Sequence, residues 1–226
     1  MLLIKAVISD IDGTLTDDRQ FIQPLGIEAL RAVQQKGITV MLASGNVLPL
    51  AYGVATYIGA KGPVIAENGG IVSYKERIYR LNDVDLPLKA FAHLKERMPA
   101  VERLFTDNWR ESEVALKLTV DPQKVKEELK DWNVKVDVTG FAIHIMEPTH
   151  SKLRGAEKAC ELLGLDIREI AAFGDSDNDV ELLAGAGYGV AVGNASPRAK
   201  EAAKYVAQGE NAKGVVEGLR KMGLLE

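Results

Sequence analysis

The sequence predicts an α/β protein with a doubly wound, mostly parallel sheet and a smaller inserted α/β domain. The first observation behind this prediction is that short apolar, β-branched runs alternate with helical patterns near both ends of the chain. This alternation is typical of a parallel sheet covered by helices on both faces. The second is a change of pattern between about residues 82 and 148, where period-two alternation indicates a sheet with one covered face.

The first part of the chain begins the strand and helix alternation at once. Pro24 opens a predicted helix because its fixed φ suits the first helical turn, and Gly37 ends it. The predicted elements are a strand at 3–9, a helix at 24–36, a strand at 38–43, a helix at 47–58 and a strand at 63–66. Right-handed crossovers place the carboxyl ends of these strands along one edge of a Rossmann-like sheet.

The same alternation resumes in the last third of the chain. The predicted elements are a helix at 151–163 ended by Gly164, a strand at 169–173, a helix at 177–183, a strand at 188–192, a helix at 197–203 and a last helix from 211. We therefore predict a core formed by 1–81 and 149–226, with 82–148 as the inserted domain. Its hinges are expected at 82–87 and 148–151.

The inserted segment is predicted to fold as helix, strand, helix, strand, strand. The residues expected to face its helices are Val114, Leu116, Leu118, Val120, Val134, Val136, Val138, Phe141, Ile143 and Ile145. The residues expected on the opposite face are Lys117, Thr119, Lys135, Asp137, His144 and Met146. This second face is either solvated or closed over a functional site at the edge of the larger sheet.

Composition excludes several classes of function. The 226 residues are 46% hydrophobic, enough for a substantial core, and the net charge of -4 argues against broad attraction to nucleic acid or to anionic lipid. The single cysteine, Cys160, excludes an internal disulfide framework and is interpreted as a packing residue. No signal peptide or membrane-spanning run is recognised, so we expect a cytoplasmic protein without membrane or nucleic-acid partners.

Two carboxylates follow the first predicted strand. Asp10 and Asp12 are two residues apart, so they point to the same side where the strand gives way to a loop, and Gly13 permits a sharp turn. The crevice beyond the carboxyl ends of parallel strands is where ligands bind in such sheets. A solvated Asp-Gly turn is the alternative interpretation, and the apolar strand before it makes function the stronger one.

A second acidic group follows the strand at 169–173. The run 174–179, Gly-Asp-Ser-Asp-Asn-Asp, contains three aspartates that repel one another unless they bind a cation. Oxygen ligands from Asp175 and Asp179, with Asp10 nearby, suit Mg²⁺. Asp177 is expected either to cap the following helix or to contact the metal.

Two further positions can bind an anion. Ser44 and Gly45 end the second strand directly before a helix, where a serine either caps the helix or, with neighbouring backbone N–H groups, binds phosphate oxygens. Lys152 lies at a helix start, where its charge opposes the positive end of the helix dipole. Neither feature identifies a function alone.

Taken together, the segments DIDGT, SGN, the helix-start lysine and GDSDND resemble the four motifs of the haloacid dehalogenase-like phosphohydrolases. The resemblance covers essentially the whole chain, and the inserted region is similar to the type-two cap of that family. SGN, PTHSK and GDSDNDVEL look most like the phosphoglycolate phosphatase branch. The chain departs from many relatives with this cap by carrying Asn46 where they have arginine, which argues against a large sugar phosphate.

The resemblance implies a mechanism and a set of roles. Asp10 would be the nucleophile that forms an aspartyl phosphate, and Asp12 would protonate the leaving group and then activate water. Asp10, Asp12 through its backbone carbonyl, Asp175 and Asp179 would hold Mg²⁺. Ser44, Gly45 and Lys152 would bind the phosphoryl oxygens. Thr14 is expected to hold the loop by hydrogen bonding.

The implied reaction converts 2-phosphoglycolate and water to glycolate and phosphate. Specificity is expected in the cap, because the core motifs contact only the phosphoryl group, and we hypothesise that Lys117 or His144 meets the polar end of the substrate. Among the other histidines, His93 is expected near the surface and His150 could line the site. The expected partner is one small phosphorylated substrate, with the chain a monomer or homodimer.

Three alternative functions share parts of this sequence pattern. The first is a phosphatase for a sugar or polyol phosphate on the same machinery, which a phosphate-ester screen would separate. The second is a related transferase, which phosphate release without an acceptor would exclude. The third is a receiver-like signalling domain that accepts phosphate on aspartate, but such a domain needs neither a cap nor a second acid after the nucleophile.

Overall fold

A computed structural model describes residues 4–226. The strands, in chain order, are β1 Ala6–Asp10, β2 Thr39–Ala43, β3 Val64–Ala66, β4 Ile71–Tyr74, β5 Arg77–Arg80, β6 Val114–Leu116, β7 Lys135–Val138, β8 Ile143–Met146, β9 Ile170–Gly174, β10 Tyr188–Ala191 and β11 Tyr205–Val206. The helices are α1 Pro24–Gln35, α2 Leu48–Ile58, α3 Asp85–Arg97, α4 Pro122–Glu128, α5 Lys152–Leu163, α6 Val180–Gly185, α7 Pro197–Ala202 and α8 Asn211–Lys221. The predicted start of the first strand at residue 3 lies outside the described residues.

The larger sheet has eight strands in the order β11-β10-β9-β1-β2-β3-β4-β5. Its first six strands in this order are parallel, and β4 and β5 extend the edge as an antiparallel hairpin. The predicted fold class is confirmed. Because β1 lies between β2 and β9, the carboxyl ends of these three strands meet at the centre of one sheet edge.

Both faces of the central strands of the larger sheet are buried, as their apolar composition predicts. Successive residues of β1 contribute to opposite layers: Val7 packs with α1, α2 and α8, whereas Ala6 and Ile8 pack with α5, α6 and α7. Gly164 ends α5 in the left-handed conformation with φ +66°, the geometry for which glycine is favoured. The central strand is thus fixed from both sides, and its end provides a rigid position for a functional side chain.

The inserted region forms a second, three-stranded antiparallel sheet in the order β6-β8-β7. Ile143 and Ile145 of β8 pack under α3 and α4 with Leu94 and Val125, so this sheet has its own apolar core. The predicted order of elements in this region is therefore correct. The limits 82–148 for the inserted domain stay a prediction.

Several side chains of the inserted sheet do not lie where the alternation predicts. Leu118 is 45% exposed because β6 ends at Leu116 and the chain enters a turn before Asp121 caps α4. Phe141 lies in the β7–β8 turn rather than under the helices. His144, expected on the polar face, is fully buried, because that face lies against a loop of the larger domain through Asn68.

The structure contains elements that the sequence pattern did not predict. The β4–β5 hairpin is closed by Lys75 and Glu76, both with positive φ, in place of the asparagine or glycine that usually marks such a turn. The strand β11 is only two residues long. No helix within residues 4–226 is both long and apolar enough to cross a membrane.

Candidate active site

A cavity of about 190 Å³ lies at the sheet edge where β1 and β9 end. It is lined by three segments of the core, which follow β1, β2 and β9, and by the β7–β8 turn of the inserted domain. The lining residues are Asp10, Asp12, Gly13, Thr16, Asp17, Asp18, Gln20, Gly45, Thr139, Gly140, Phe141, Asp175, Ser176 and Asn178. The predicted acids of the first and last motifs therefore come together at one site.

Asp10 is the last residue of β1 and only 3% of it is exposed. Its Oδ1 accepts a hydrogen bond from Lys152 Nζ at 2.5 Å. Burial raises the pKa of Asp10 well above its usual range, an effect that the Lys152 charge opposes and the neighbouring carboxylates reinforce. Burial shields the second carboxylate oxygen of Asp10 from water. This oxygen is suited to nucleophilic attack once a bound cation keeps the carboxylate ionised.

Lys152 is the first residue of α5, and only 1% of it is exposed. The helix start is fixed by Ser151, whose side chain accepts a hydrogen bond from the Arg154 N–H. Lys152 Nζ contacts both Asp10 and, at 2.6 Å, Asp179 Oδ1. Burial alone would lower the pKa of Lys152, but the two carboxylates raise it, so the ammonium stays charged. The two buried carboxylates therefore compensate for the unfavourable position of the Lys152 charge at the start of a helix.

The acidic loop after β9 is held by its own hydrogen bonds. Asp179 Oδ2 accepts from the backbone N–H groups of Asp175 and Ser176, each at 3.1 Å. Thr14 Oγ1 donates to Asp175 Oδ1 at 2.8 Å, so Thr14 holds the loop as predicted. Burial and the Asp179 charge raise the pKa of Asp175 to about 6. The loop therefore presents Asp175 to the cavity, while Asp179 lies beneath it against Lys152.

Asp10, Asp175 and Asp179 fit a divalent cation. One ligand oxygen of each lies within 4.8 Å of the others. Three ionised carboxylates and one lysine leave a net charge of two negative units, which a divalent cation would balance. Carboxylate oxygens are hard ligands. A set made only of them therefore favours Mg²⁺ over softer metals.

Gly13 allows the loop from β1 to pass directly beside Asp175. Its φ is +82°, and an added Cβ would lie 2.4 Å from Asp175 Oδ2. We expect Gly13→Ala to lower kcat by about 100-fold, because a shift of about 1 Å at a reacting group costs a factor of this order. Steady-state hydrolysis of a phosphomonoester measures it. Gly140→Ala on the opposite wall is the control, since an added Cβ there meets nothing within 4 Å, and equal losses in both variants would contradict the steric argument.

Asp12 is held by the loop that follows β2. Asn46 Nδ2 donates to Asp12 Oδ2 at 2.9 Å, and Ser44 Oγ lies 3.4 Å from the same oxygen. Ser44 Oγ also accepts from the Asn46 N–H at 3.0 Å. Ser44 does not cap α2, because the helix starts later, after Val47. Gly45 lines the cavity, so the loop contributes both backbone and side-chain groups to the site.

The cap residues singled out from the sequence have different environments. Lys117 forms a surface ion pair with Glu102 at 2.5 Å and is not among the residues that line the cavity. His144 is buried behind the cavity, with Nδ1 at 3.0 Å from Glu113 Oε1 and Nε2 at 3.1 Å from Thr139 Oγ1. Its approach to the site is therefore through Thr139, which does line the cavity.

Other predicted side chains lie outside the cavity lining. Asp177 neither caps a helix nor joins the acidic cluster, because it accepts hydrogen bonds from Ser196 Oγ at 2.7 Å and from Arg198 at 2.9 Å. The capping expected of it is performed by Ser176, which starts the turn before α6. His150 is buried with Nε2 against the Glu67 carbonyl oxygen. His93 pairs with Glu128 at 3.0 Å near the surface, as expected.

A buried polar cluster joins the cap to the core and was not predicted. Asn68 Nδ2 donates to Glu113 Oε2 at 2.9 Å, and Asn68 Oδ1 accepts from Asn178 Nδ2 at 2.9 Å. Glu113 also pairs with Arg110, whose guanidinium donates to the Gly45 carbonyl oxygen at 3.0 Å. Asn68 and Glu113 belong to no sequence motif and become neighbours only when the chain folds. Asn46, by contrast, belongs to the SGN motif and could be found from the sequence.

Comparison with known proteins identifies relatives over nearly the whole chain. A family model described as haloacid dehalogenase-like hydrolase matches residues 7–108 and 111–219. A phosphoglycolate phosphatase of Methanothermobacter thermautotrophicus is 38% identical over 218 residues, covering 96% of this chain and 98% of that protein. A phosphoglycolate phosphatase of Methanopyrus kandleri is 39% identical and covers 97% of each. A solved Thermoplasma acidophilum structure superposes with a TM-score of 0.91 at 27% identity, over 99% of this chain and 100% of that one.

Proposed function

The chain belongs to the haloacid dehalogenase-like hydrolases, and on this premise we propose that it hydrolyses 2-phosphoglycolate to glycolate and phosphate by way of a phosphorylated Asp10. The family resemblance and the enzyme class predicted from the four motifs are confirmed. One observation carries the proposal: Asp10 is buried at the end of a central strand, bonded to Lys152, with Asp175 and Asp179 beside it.

Each residue would act on a defined atom. The Asp10 carboxylate attacks phosphorus while the bond from phosphorus to the ester oxygen breaks, and Asp12 gives a proton to the departing alkoxide. Asp12 then takes a proton from water, which attacks the phosphoryl group and releases Asp10. Asn46 keeps Asp12 oriented through its 2.9 Å hydrogen bond. Lys152 and the Ser44–Gly45 loop would neutralise and orient the phosphoryl oxygens.

Asp10, Asp175 and the Asp12 carbonyl would hold Mg²⁺, with Asp179 supporting them from beneath. Bound Mg²⁺ would lower the repulsion between the anionic nucleophile and the anionic phosphoryl group, which is about 4 kcal/mol for unit charges about 4 Å apart near a protein surface. Asp179 contributes through Lys152 and the backbone of the loop, because both of its oxygens already accept hydrogen bonds from them.

The substrate assignment combines relatedness with size. Relatives that are 34–39% identical over nearly their whole length are phosphoglycolate phosphatases. The cavity of about 190 Å³ has room for an ester as small as 2-phosphoglycolate. Asn46 is uncharged, so it supplies no positive charge to bind a sugar phosphate. This agrees with a small substrate.

A phosphate-release screen with and without Mg²⁺ tests the function. We expect 2-phosphoglycolate to give the highest kcat/KM among small phosphomonoesters and sugar phosphates. Release without an added acceptor also separates hydrolysis from transfer. A sugar phosphate with a much higher kcat/KM would replace the substrate assignment, and no release from any ester with Mg²⁺ would remove the proposed function.

Removal of the metal should abolish turnover and lower stability. We expect excess EDTA to reduce phosphate release to background and Mg²⁺ to restore it. Mg²⁺ should also raise the Tm, because the cation binds only the folded cluster of carboxylates. In Asp175→Asn the rise should be much smaller, whereas Asp18→Asn on the rim of the same cavity should keep it. An equal rise in Asp175→Asn would contradict the assigned site.

A further inference from the structure

A carbonyl oxygen on the loop after β1 accepts hydrogen bonds from two side-chain amides that come from the last part of the chain. Asn194 Nδ2 donates to the Gly13 carbonyl oxygen at 2.9 Å, and Asn211 Nδ2 donates to it at 2.7 Å. Asn194 follows β10, and Asn211 is the first residue of α8. A carbonyl oxygen has two lone pairs, so the two amides fill its capacity as an acceptor. Neither asparagine lines the cavity or has a part in the proposed chemistry.

Asn211 is the better fixed of the two donors. It is only 8% exposed, whereas Asn194 is an exposed residue. Its φ is +51°, a conformation that asparagine adopts more readily than most residues other than glycine. In this conformation its backbone N–H donates to Asn194 Oδ1 at 2.8 Å while its side-chain amide contacts Gly13. The two asparagines therefore support each other on the same carbonyl group.

Gly13 is also held at its N–H group. This N–H donates to Thr16 Oγ1 at 2.9 Å, and Thr16 is only 3% exposed. Because a peptide unit is planar, the bond at the N–H orients the unit that joins Gly13 to Asp12, and the bonds at the carbonyl orient the next unit. Glycine has the widest backbone freedom of any residue. The hydrogen bonds on both sides of Gly13 therefore restrict the position in the loop that is otherwise the most free to rotate.

The position of Asp12 depends on this restriction more than that of Asp10 does. Asp10 is paired with Ala43 of β2, so the sheet fixes its backbone. Asp12 lies beyond the end of β1, and one oxygen of its carboxyl group accepts from Asn46. A rotation at Gly13 would shift the backbone of Asp12 and move its carboxyl group away from the leaving group, while Asp10 would stay in place.

The acidic loop has separate contacts with the same region. The Ser196 N–H donates to the Asp175 carbonyl oxygen at 2.7 Å, and Thr14 Oγ1 donates to Asp175 Oδ1 at 2.8 Å. These contacts do not involve the side chain of Asn211. Removal of the Asn211 amide should therefore affect the loop after β1 more than the carboxylate cluster.

We infer that Asn211 is a positioning residue for the proposed reaction: through the Gly13 carbonyl oxygen, it keeps Asp12 where it can give a proton to the leaving group. The inference rests on the proposed function and adds a residue of the last helix to the groups on which proton transfer depends. Asn194 supports Asn211 in this role. The cost of losing the Asn211 amide should then depend on how much the leaving group needs a proton.

The test compares 2-phosphoglycolate with 4-nitrophenyl phosphate in Asn211→Gly. Glycine keeps the positive φ and the backbone N–H but lacks the amide. The alkoxide leaving group of 2-phosphoglycolate needs a proton, whereas 4-nitrophenolate is stable as an anion. General acid catalysis contributes about 10²-fold to 10⁴-fold, so we expect kcat/KM to fall by about 10-fold or more for 2-phosphoglycolate and by less than about 3-fold for 4-nitrophenyl phosphate. If the ester screen prefers another alkyl ester, that ester takes the place of 2-phosphoglycolate.

Two further variants separate the hydrogen bond from packing. Asn211→Asp has the size of asparagine but cannot donate to Gly13 when ionised, so it should show the same dependence on the leaving group. Asn108→Ala removes an exposed amide that donates to the Phe105 carbonyl oxygen at 2.9 Å, and it should leave both esters unchanged. The Tm of Asn211→Gly should fall by no more than about 4 °C, the shift expected for one lost hydrogen bond.

Equal losses on the two esters in Asn211→Gly, or an unchanged kcat/KM for both, would overturn the inference. Asp12→Asn gives an independent check, because Asn211→Gly should cost less than about 2-fold once Asp12 can no longer give a proton, and a full further loss in the double variant would contradict the assigned role. If Asn211→Gly fails to fold, Asn194→Ala removes the other donor to the same carbonyl and supplies the comparison. Wild-type protein that releases phosphate from neither ester removes the proposed function itself.

Discussion

Asp10→Asn is expected to lower phosphate release by about 10⁴-fold or more, the scale seen when a catalytic nucleophile is removed. The asparagine amide has nearly the size of the carboxylate, so it can occupy the buried end of β1 without a cavity. It lacks the negative oxygen that attacks phosphorus, and its nitrogen is a poor partner for the Lys152 ammonium. Binding of substrate should survive better than turnover, because the remaining phosphate contacts are unchanged.

The measurement is single-turnover hydrolysis together with acid-quench trapping of the phosphorylated enzyme. Wild-type protein should accumulate an acid-stable acyl phosphate on Asp10 when its breakdown is the slower step, and Asp10→Asn should form none. Asp18→Asn is the matched control, since this acid lines the same cavity but lies outside the carboxylate cluster. Substantial activity in Asp10→Asn would remove Asp10 as the nucleophile.

The order of elements was predictable because the two kinds of sheet leave different periodicities in the sequence. Strands buried on both faces, such as β1 and β9, appear as continuous apolar runs, and the antiparallel cap strands alternate. The β4–β5 hairpin could not be predicted because Lys75 and Glu76 adopt positive φ without a typical turn residue. Local sequence does not show this conformation, because the pairing of β4 with β5 imposes it.

The candidate site was predictable where it depends on strand ends. Asp10 ends β1, Ser44 follows β2 and Asp175 follows β9, and parallel pairing brings these strand ends together independently of the loop conformations. Their chemical roles stay proposals. The hydrogen-bond partners of Asp12 and His144 could not be predicted, because Asn46, Glu113 and Thr139 reach them only after the loops and the cap have docked.

Lys152→Met is expected both to reduce turnover by about 10³-fold and to destabilise the fold by about 3–5 kcal/mol in the absence of metal. The kinetic loss follows from removing the positive charge that neutralises a phosphoryl oxygen and the nucleophile. The loss of stability follows because methionine fills the space but leaves Asp10 and Asp179 buried without their shared cation. Urea unfolding in EDTA and steady-state kinetics in Mg²⁺ measure the two effects separately.

Mg²⁺ distinguishes the charge argument from a simple packing defect. If the variant is unstable because carboxylates repel one another, a divalent cation between them should recover part of the loss, so Mg²⁺ should raise the Tm of Lys152→Met more than that of the wild type. Lys158→Met on the same helix is the control, because its surface pair with Glu161 contributes at most about 1 kcal/mol. Lys152→Met as stable as Lys158→Met in EDTA would mean that the acidic cluster is neutralised by protonation rather than by this lysine.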